Sequence, residues 1–332
     1  MQYFQSMQAI HSDDASVYQR TKLIQPRKGT GLSGDIKVLR LLGKGSNNKV
    51  FLASYKNREP DIIVRTPRQK SDTQRIGNAS WEFRNTAIAS TLGVAPKMYD
   101  AWYVRHSTKK QRSGLHMIAE YFPYDVHNLL VEEPQKVIPI AHILRAQAMD
   151  HMRKMANAGM LCYDLKPSNM VFSDIKGIHL KFIDFGRDFC EWKPFSVSNE
   201  YLERAPVLSY VEEIAIKHAD DKMSAETLYK ELIYAVMIII LSSNIAFTLS
   251  QSSRAARCSA NEKAMLNFMA GAAFDLRQYT RKSYIELIMK ILRHQEVRDT
   301  LRHYMGRRNS GTKRVFSFAS FTKVPCHFVD LY

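Results

Sequence analysis

The chain has 332 residues, enough for about two domains or one large bilobed unit. With 45% apolar and 24% charged residues its composition is that of a globular protein, which excludes a collagen, a disordered polymer and a disulfide miniprotein. The 48 Lys and Arg against 32 Asp and Glu leave a net charge of +16, a balance that attracts phosphorylated ligands, acidic protein surfaces or nucleic acid.

In chain order, residues 1–34 are polar and close in PRKGTGLSG, which reads as an N-terminal arm. Asp35–Leu42 and Lys49–Tyr55 read as strands joined by the turn GKGSNN, and Asp61–Arg65 as a third strand. Ser80–Leu92 reads as a helix with Ser80 as N-cap and Gly93 as its stop. Strands near Met98–Arg105 and Leu115–Tyr121 follow, separated by the basic loop HSTKKQRSG. From Ile138 the pattern turns helical, over Ile138–Ala158, Ser224–Leu241, Asn261–Ala273 and Lys282–Arg302. A strand pair, Met170–Phe172 and Leu180–Ile183, interrupts the helices. The expected class is α+β, with a small sheet-rich lobe over 35–122, a larger helical lobe over 123–305 and a basic tail over 306–332.

Two other features bound the setting. Leu232–Leu249 is uncharged, but Ser242, Ser243 and Asn244 interrupt it, so it reads as a buried helix and no membrane span is expected. Cys162, Cys190, Cys258 and Cys326 form no CxxC pair, which argues against zinc and thioredoxin-type chemistry. The N-terminus lacks a secretory signal, so an intracellular location, cytoplasmic or nuclear, is expected.

The chemistry concentrates in Asp164-Leu165-Lys166-Pro167-Ser168-Asn169, followed twenty residues after Asp164 by Asp184-Phe185-Gly186. The two motifs together resemble the catalytic loop and metal-binding motif of protein kinases, which implies phosphoryl transfer, a reaction that needs groups to position reactants and neutralise charge. A carboxylate such as Asp164 can take the proton of an acceptor hydroxyl, and Lys166 can reach a transferring phosphate. Asn169 and Asp184 supply the hard oxygen ligands that Mg²⁺ prefers.

The Lys-Pro within the first motif resembles the serine/threonine branch of that family. The resemblance implies a bilobed protein-kinase-like fold. It implies ATP and Mg²⁺ as cofactors, Asp164 and Lys166 as catalytic residues, and Asn169 and Asp184 as metal ligands. Gly43-Lys44-Gly45-Ser46-Asn47-Asn48-Lys49-Val50 resembles the family's glycine-rich loop, with Asn48 where a third glycine is usual. Gly43, Lys44, Gly45 and Val50 would then contact ATP. Arg65 stands where the family carries a lysine, with Glu82 in the following helix as its ion-pair partner. The stretch LHMIAEYFPYD resembles the strand and hinge that hold adenine, through backbone groups of Glu120 and Phe122 behind a small Ala119, with Asp125 for the ribose. The same Asp125 is also suited to capping the helix VHNLL.

Two further departures and one weaker match complete the comparison. Cys162-Tyr163 replaces the usual His-Arg before Asp164, which removes the partner of a phosphorylated activation segment. Val207 replaces the glutamate after Arg204-Ala205-Pro206. Asp220 falls where a buried helix of the family often begins. The expected function is ATP-dependent phosphorylation of Ser/Thr hydroxyls in protein substrates, acidic ones in view of the charge. Autophosphorylation at Ser310, after Arg307-Arg308-Asn309, is also expected. Three alternatives stay open: a catalytically weak pseudokinase or scaffold, a small-molecule kinase on the same fold, and a nucleic-acid-binding protein.

Overall fold

The structure, a computed structural model, describes residues 36–44, 48–55, 62–67, 76–104, 114–174, 177–186, 189–196, 205–251 and 282–298. The N-terminal arm, most of the basic loop, the expected helix Asn261–Ala273 and the tail with Ser310 lie outside them. The fold is mixed α+β and divides into two compact units. One is Met1–Phe122 with Phe185–Arg187; the other is Pro123–Asp184 with Asp188–Tyr332.

Among the described residues the first unit is an antiparallel five-stranded sheet with one helix. Its strands are β1 (Ile36–Lys44), β2 (Asn48–Tyr55), β3 (Ile62–Pro67), β4 (Met98–Val104) and β5 (Gly114–Glu120), in the order β1-β2-β3-β5-β4. Alternation sorts their side chains to two faces. Ile36, Ala53, Ile62, Val64 and Ile118 form a core on one face. On the other, Met98, Leu115 and Met117 pack with Ala87 of helix α1 (Ile76–Thr91). That helix begins upstream of Ser80, so Ser80 lies inside it and is not its N-cap.

The second unit is mainly helical. Its helices are α2 (Val126–Glu132), α3 (Pro134–Val137), α4 (Ala141–Asn157), α5 (Pro206–His218), α6 (Ala225–Gln251) and α7 (Lys282–Leu292). A three-stranded sheet has the order β6-β8-β9, from β6 (Tyr124–Asp125), β8 (Met170–Ser173) and β9 (His179–Phe182). Strand β7 (Met160–Cys162) pairs with β10 (Cys190–Trp192) in a separate ribbon. Helix α6 is the centre of this unit: Leu232, Ile233, Ala235, Val236, Met237, Ile238 and Ile240 are wholly buried. It packs against α4, α5, α7 and β7. Among the described residues no helix is long and apolar enough to cross a membrane. The helix runs on to Gln251, through the Ser242-Ser243-Asn244 step, joining the Ser224–Leu241 and Leu232–Leu249 segments of the sequence reading in one element.

At Gly159 both the backbone conformation and a close approach require glycine. Gly159 ends α4 with φ +70°, and a Cβ there would lie 2.3 Å from the Lys193 carbonyl oxygen. That approach lets Lys193 N–H donate to the Gly159 carbonyl at 2.8 Å, closing the β7–β10 ribbon. Gly43 has the opposite surroundings, with nothing within 4 Å of a Cβ. Denaturant unfolding should therefore show Gly159→Ala destabilised by about 2 kcal/mol or more. Gly43→Ala should stay within about 0.5 kcal/mol of the parent.

Candidate active site

In the second unit, β7 ends at Cys162 and β8 begins at Met170, so residues 163–169 form a loop between two paired strands. Pro167–Asn169 make a single 3-10 turn, which Pro167 favours by fixing φ at the first position. Asn169 organises this loop. Its Nδ2 donates to the Asp164 carbonyl and to Asp164 Oδ2, both at 3.0 Å, and its backbone N–H donates to the Lys166 carbonyl at 2.9 Å. Lys166 Nζ lies 2.8 Å from Asp164 Oδ1 and 3.0 Å from Oδ2. The Asp164 carboxylate, with only 4% of the residue exposed, is thus held by an ammonium and an amide.

Strand register brings in Asp184. Met170 pairs with Phe182 across β8 and β9, and one step further Ile183 N–H donates to the Asn169 carbonyl at 2.9 Å. Asp184 follows directly, exposed and with φ 69°, a left-handed conformation that Asp tolerates better than most residues. Helix α4 fixes β9 from the other side. Gln147 Nε2 donates to the Ile178 carbonyl at 2.5 Å, and its Oε1 accepts from Leu180 N–H at 2.6 Å. His151 Nε2 sits 2.8 Å from the Leu180 carbonyl, and burial pushes its pKa down.

The donor set suits a hard divalent cation. With both amide hydrogens of Asn169 directed at Asp164, its remaining polar atom is Oδ1. Asp184 adds a carboxylate that pairs with nothing among the described residues. One amide oxygen and one carboxylate are both hard oxygen donors, though among the described residues no cluster of three or more His, Cys, Asp or Glu side chains could hold a metal ion.

In the first unit, register likewise places Arg65. It lies opposite Val50 on β2 and Met117 on β5, so it shares the face on which α1 packs. Glu82 of α1 reaches down to it and the two form an ion pair, both side chains largely buried. Gly43 pairs with Val50 and Lys44 with Lys49 at the exposed end of the β1–β2 hairpin, while Gly45 lies outside the described residues. Ile63 stands opposite Ala119. Glu120 N–H donates to the Lys97 carbonyl at 2.9 Å, and Glu120 Oε2 accepts from Lys97 N–H. These two bonds tie the end of β5 to Lys97. Phe122, half-buried, ends this unit.

Asp125 belongs to the second unit. It is the N-cap of α2 and accepts from Asn128 N–H at 3.0 Å. Burial raises its pKa against that backbone bond. Asp220, expected near the start of a buried helix, sits in an exposed turn ahead of α6. There it accepts from the N–H groups of Lys222 and Met223.

The sequence reading missed the groups that tie the loop to its surroundings. Cys162 and Cys190 face each other across the ribbon, with Cα atoms 4.2 Å apart, and are joined as a disulfide. A separation of 28 residues gave no hint of this pairing, and it replaces the reading of four isolated cysteines. Next to Cys190, opposite Leu161 in the ribbon, stands Glu191, whose Oε2 accepts from Leu208 N–H at 2.9 Å and whose Oε1 accepts from Val207 N–H at 3.3 Å. Helix α5 begins at Pro206 after Ala205, which has no capping side chain. Glu191 supplies that cap from a distant strand. The Tyr163 hydroxyl approaches the same carboxylate at 3.4 Å. Two of the sequence's departures, Tyr163 and Val207, thus meet at one buried acid. Lys193, itself buried, pairs with Glu212 of α5, and the Tyr229 hydroxyl donates to the Lys193 carbonyl at 2.6 Å. No known family model matches the chain, and no curated protein matches it.

Burial lifts the Glu191 carboxyl from 4.5 to about 7, against the helix N–H groups, with Glu296 adding to the rise. The folded state therefore binds this proton more tightly than the unfolded chain does. Its contribution to stability is present below about pH 4.5 and is lost as pH rises through about 7. Glu191→Gln cannot ionise and escapes that loss. Across a pH series of melting temperatures, the variant should gain on the parent as pH rises from about 5 to about 8.

Proposed function

We propose that the chain is an ATP-dependent serine/threonine protein kinase, and that its two units correspond to a small β-rich lobe and a larger helical lobe of the kinase-like fold. The observation that carries the reading is Asn169. One residue fastens Asp164 through its amide hydrogens, leaves its amide oxygen for a cation, and through its carbonyl fixes the strand that leads into Asp184.

In this reading Asp164 orients the acceptor hydroxyl and takes its proton as the new O–P bond to the γ-phosphate forms and the bond to the ADP oxygen breaks. Lys166 lies beside that carboxylate and balances charge on the phosphoryl group. Asn169 and Asp184 hold Mg²⁺, which when bound with ATP neutralises phosphate charge. Arg65, oriented by Glu82, takes the phosphate-binding role, and Gly43, Lys44, Gly45, Val50, Phe122 and Asp125 provide the remaining nucleotide contacts. Asp125 keeps its capping bond in this assignment. The positive charge draws acidic protein acceptors.

The test is transfer of labelled phosphate from Mg·ATP to an acidic protein acceptor and to the chain itself. Asp184→Asn should abolish transfer while leaving the melting temperature unchanged. Asn tolerates the φ of 69° and the side chain is exposed, so only the charge is lost. Retained transfer in this variant removes Asp184 from the chemistry. Arg65→Lys should keep most activity, whereas Arg65→Met should lower kcat/KM by about 100-fold and leave Glu82 buried without its cation. Equal rates in both variants would show that Arg65 binds no phosphate.

A further inference from the structure

The loop that carries Asp164 has three consecutive backbone carbonyls with no strand partner. Asn169 serves two of them, Asp164 through its side chain and Lys166 through its backbone N–H. The third, on Leu165, receives Asn244 Nδ2 at 2.6 Å. Asn244 lies within the most buried helix of the molecule, in an apolar run where a polar residue lowers helix propensity. Its backbone stays helical, and its carbonyl accepts from Thr248 Oγ1 at 2.9 Å. The side chain alone leaves the helix for the loop.

We propose that Asn244 is a positioning residue, which sets the orientation of Asp164 and Lys166 by pinning the peptide between them to the core helix. This rests on the phosphotransfer reading above. Asp220, the acid that the sequence offered near the start of this helix, is engaged in its own turn, and the tie to the loop comes from the distal part of α6. The Leu165 side chain is buried as well, so the loop is fixed at this residue by both its apolar and its polar atoms. A shift of the loop by a fraction of an ångström displaces the acid and the cation together, while groups outside the loop keep their places.

The experiment uses the full chain with Asn244→Asp, which keeps the shape but sets an oxygen against the Leu165 carbonyl, and with Asn244→Ala. Amide hydrogen exchange and steady-state kinetics are read on both. Exchange across 164–169 should speed up at least tenfold with α4 unchanged, and kcat should fall roughly tenfold with KM for ATP within about twofold. Asn244→Asp should be the more affected of the two in kcat, although it fills the space better. Parent-like exchange and kcat in both variants would overturn the proposal. So would a loss of protection spread evenly over α5 and α6 with kcat and KM moving together, because that is the signature of an ordinary core residue. An active parent with an unresponsive loop overturns Asn244 alone. A parent that transfers no phosphate overturns the functional reading, and the exchange data then decide separately whether Asn244 holds the loop.

Discussion

The bonds around Asn169 are the constraint on which the rest of the candidate site depends. Burying the Asp164 carboxylate costs several kcal/mol unless its oxygens are matched by donors. Asn169 and Lys166 match them from the same short loop, five and two residues away. Because the Asn169 carbonyl also receives the Ile183 N–H, the register of β8 on β9 and the placement of Asp164 are one arrangement. A slip of one residue between these strands would turn Phe182 and Met170 out of the core and remove Asp184 from its neighbour.

The surroundings reinforce this loop with groups that do not depend on modification. Before it, β7 is tied to β10 by the Cys162–Cys190 pair and by Tyr163 N–H to the Phe189 carbonyl at 2.9 Å. Beyond β10, Glu191 caps α5 and Lys193 pairs with Glu212 on the same helix. The ribbon is therefore anchored at both ends: to the loop through Tyr163 and to the helix through two acids. A helix that starts with Ala-Pro and has no cap of its own is held in place by an acid sixteen residues upstream of the first amide that it caps.

Much of this was legible from residue pattern, and the failures have physical reasons. Strands β1 to β5 are long enough for alternation to show, and the uncharged Leu232–Leu241 stretch of α6 is almost wholly buried, as its unbroken apolar run implies. Asp164, Lys166, Asn169 and Asp184 stood out because acid, cation and amide recur at a fixed spacing that a fold can use. Strands β7 and β10, with three residues each, are too short to display a period. Helix α5 was invisible because its cap is supplied from another strand. Ser80 misled because a serine inside a helix has the same chemistry as one at its start. Asn244 was seen only as a break in an apolar run. Its partner, Leu165, lies 79 residues away, and nothing in the local sequence marks that contact.

The central claim is that Asn169 and Asp184 together hold a divalent cation on a nucleotide. Selective ¹⁵N labelling of asparagine side chains, with Mn²⁺ added in the presence of ATP, tests it most directly. The account predicts that the Asn169 amide signal broadens away at stoichiometric Mn²⁺ and that Asp184→Asn abolishes the effect. An Asn169 signal that persists under saturating Mn²⁺ and ATP, or one that broadens equally in Asp184→Asn, would contradict it.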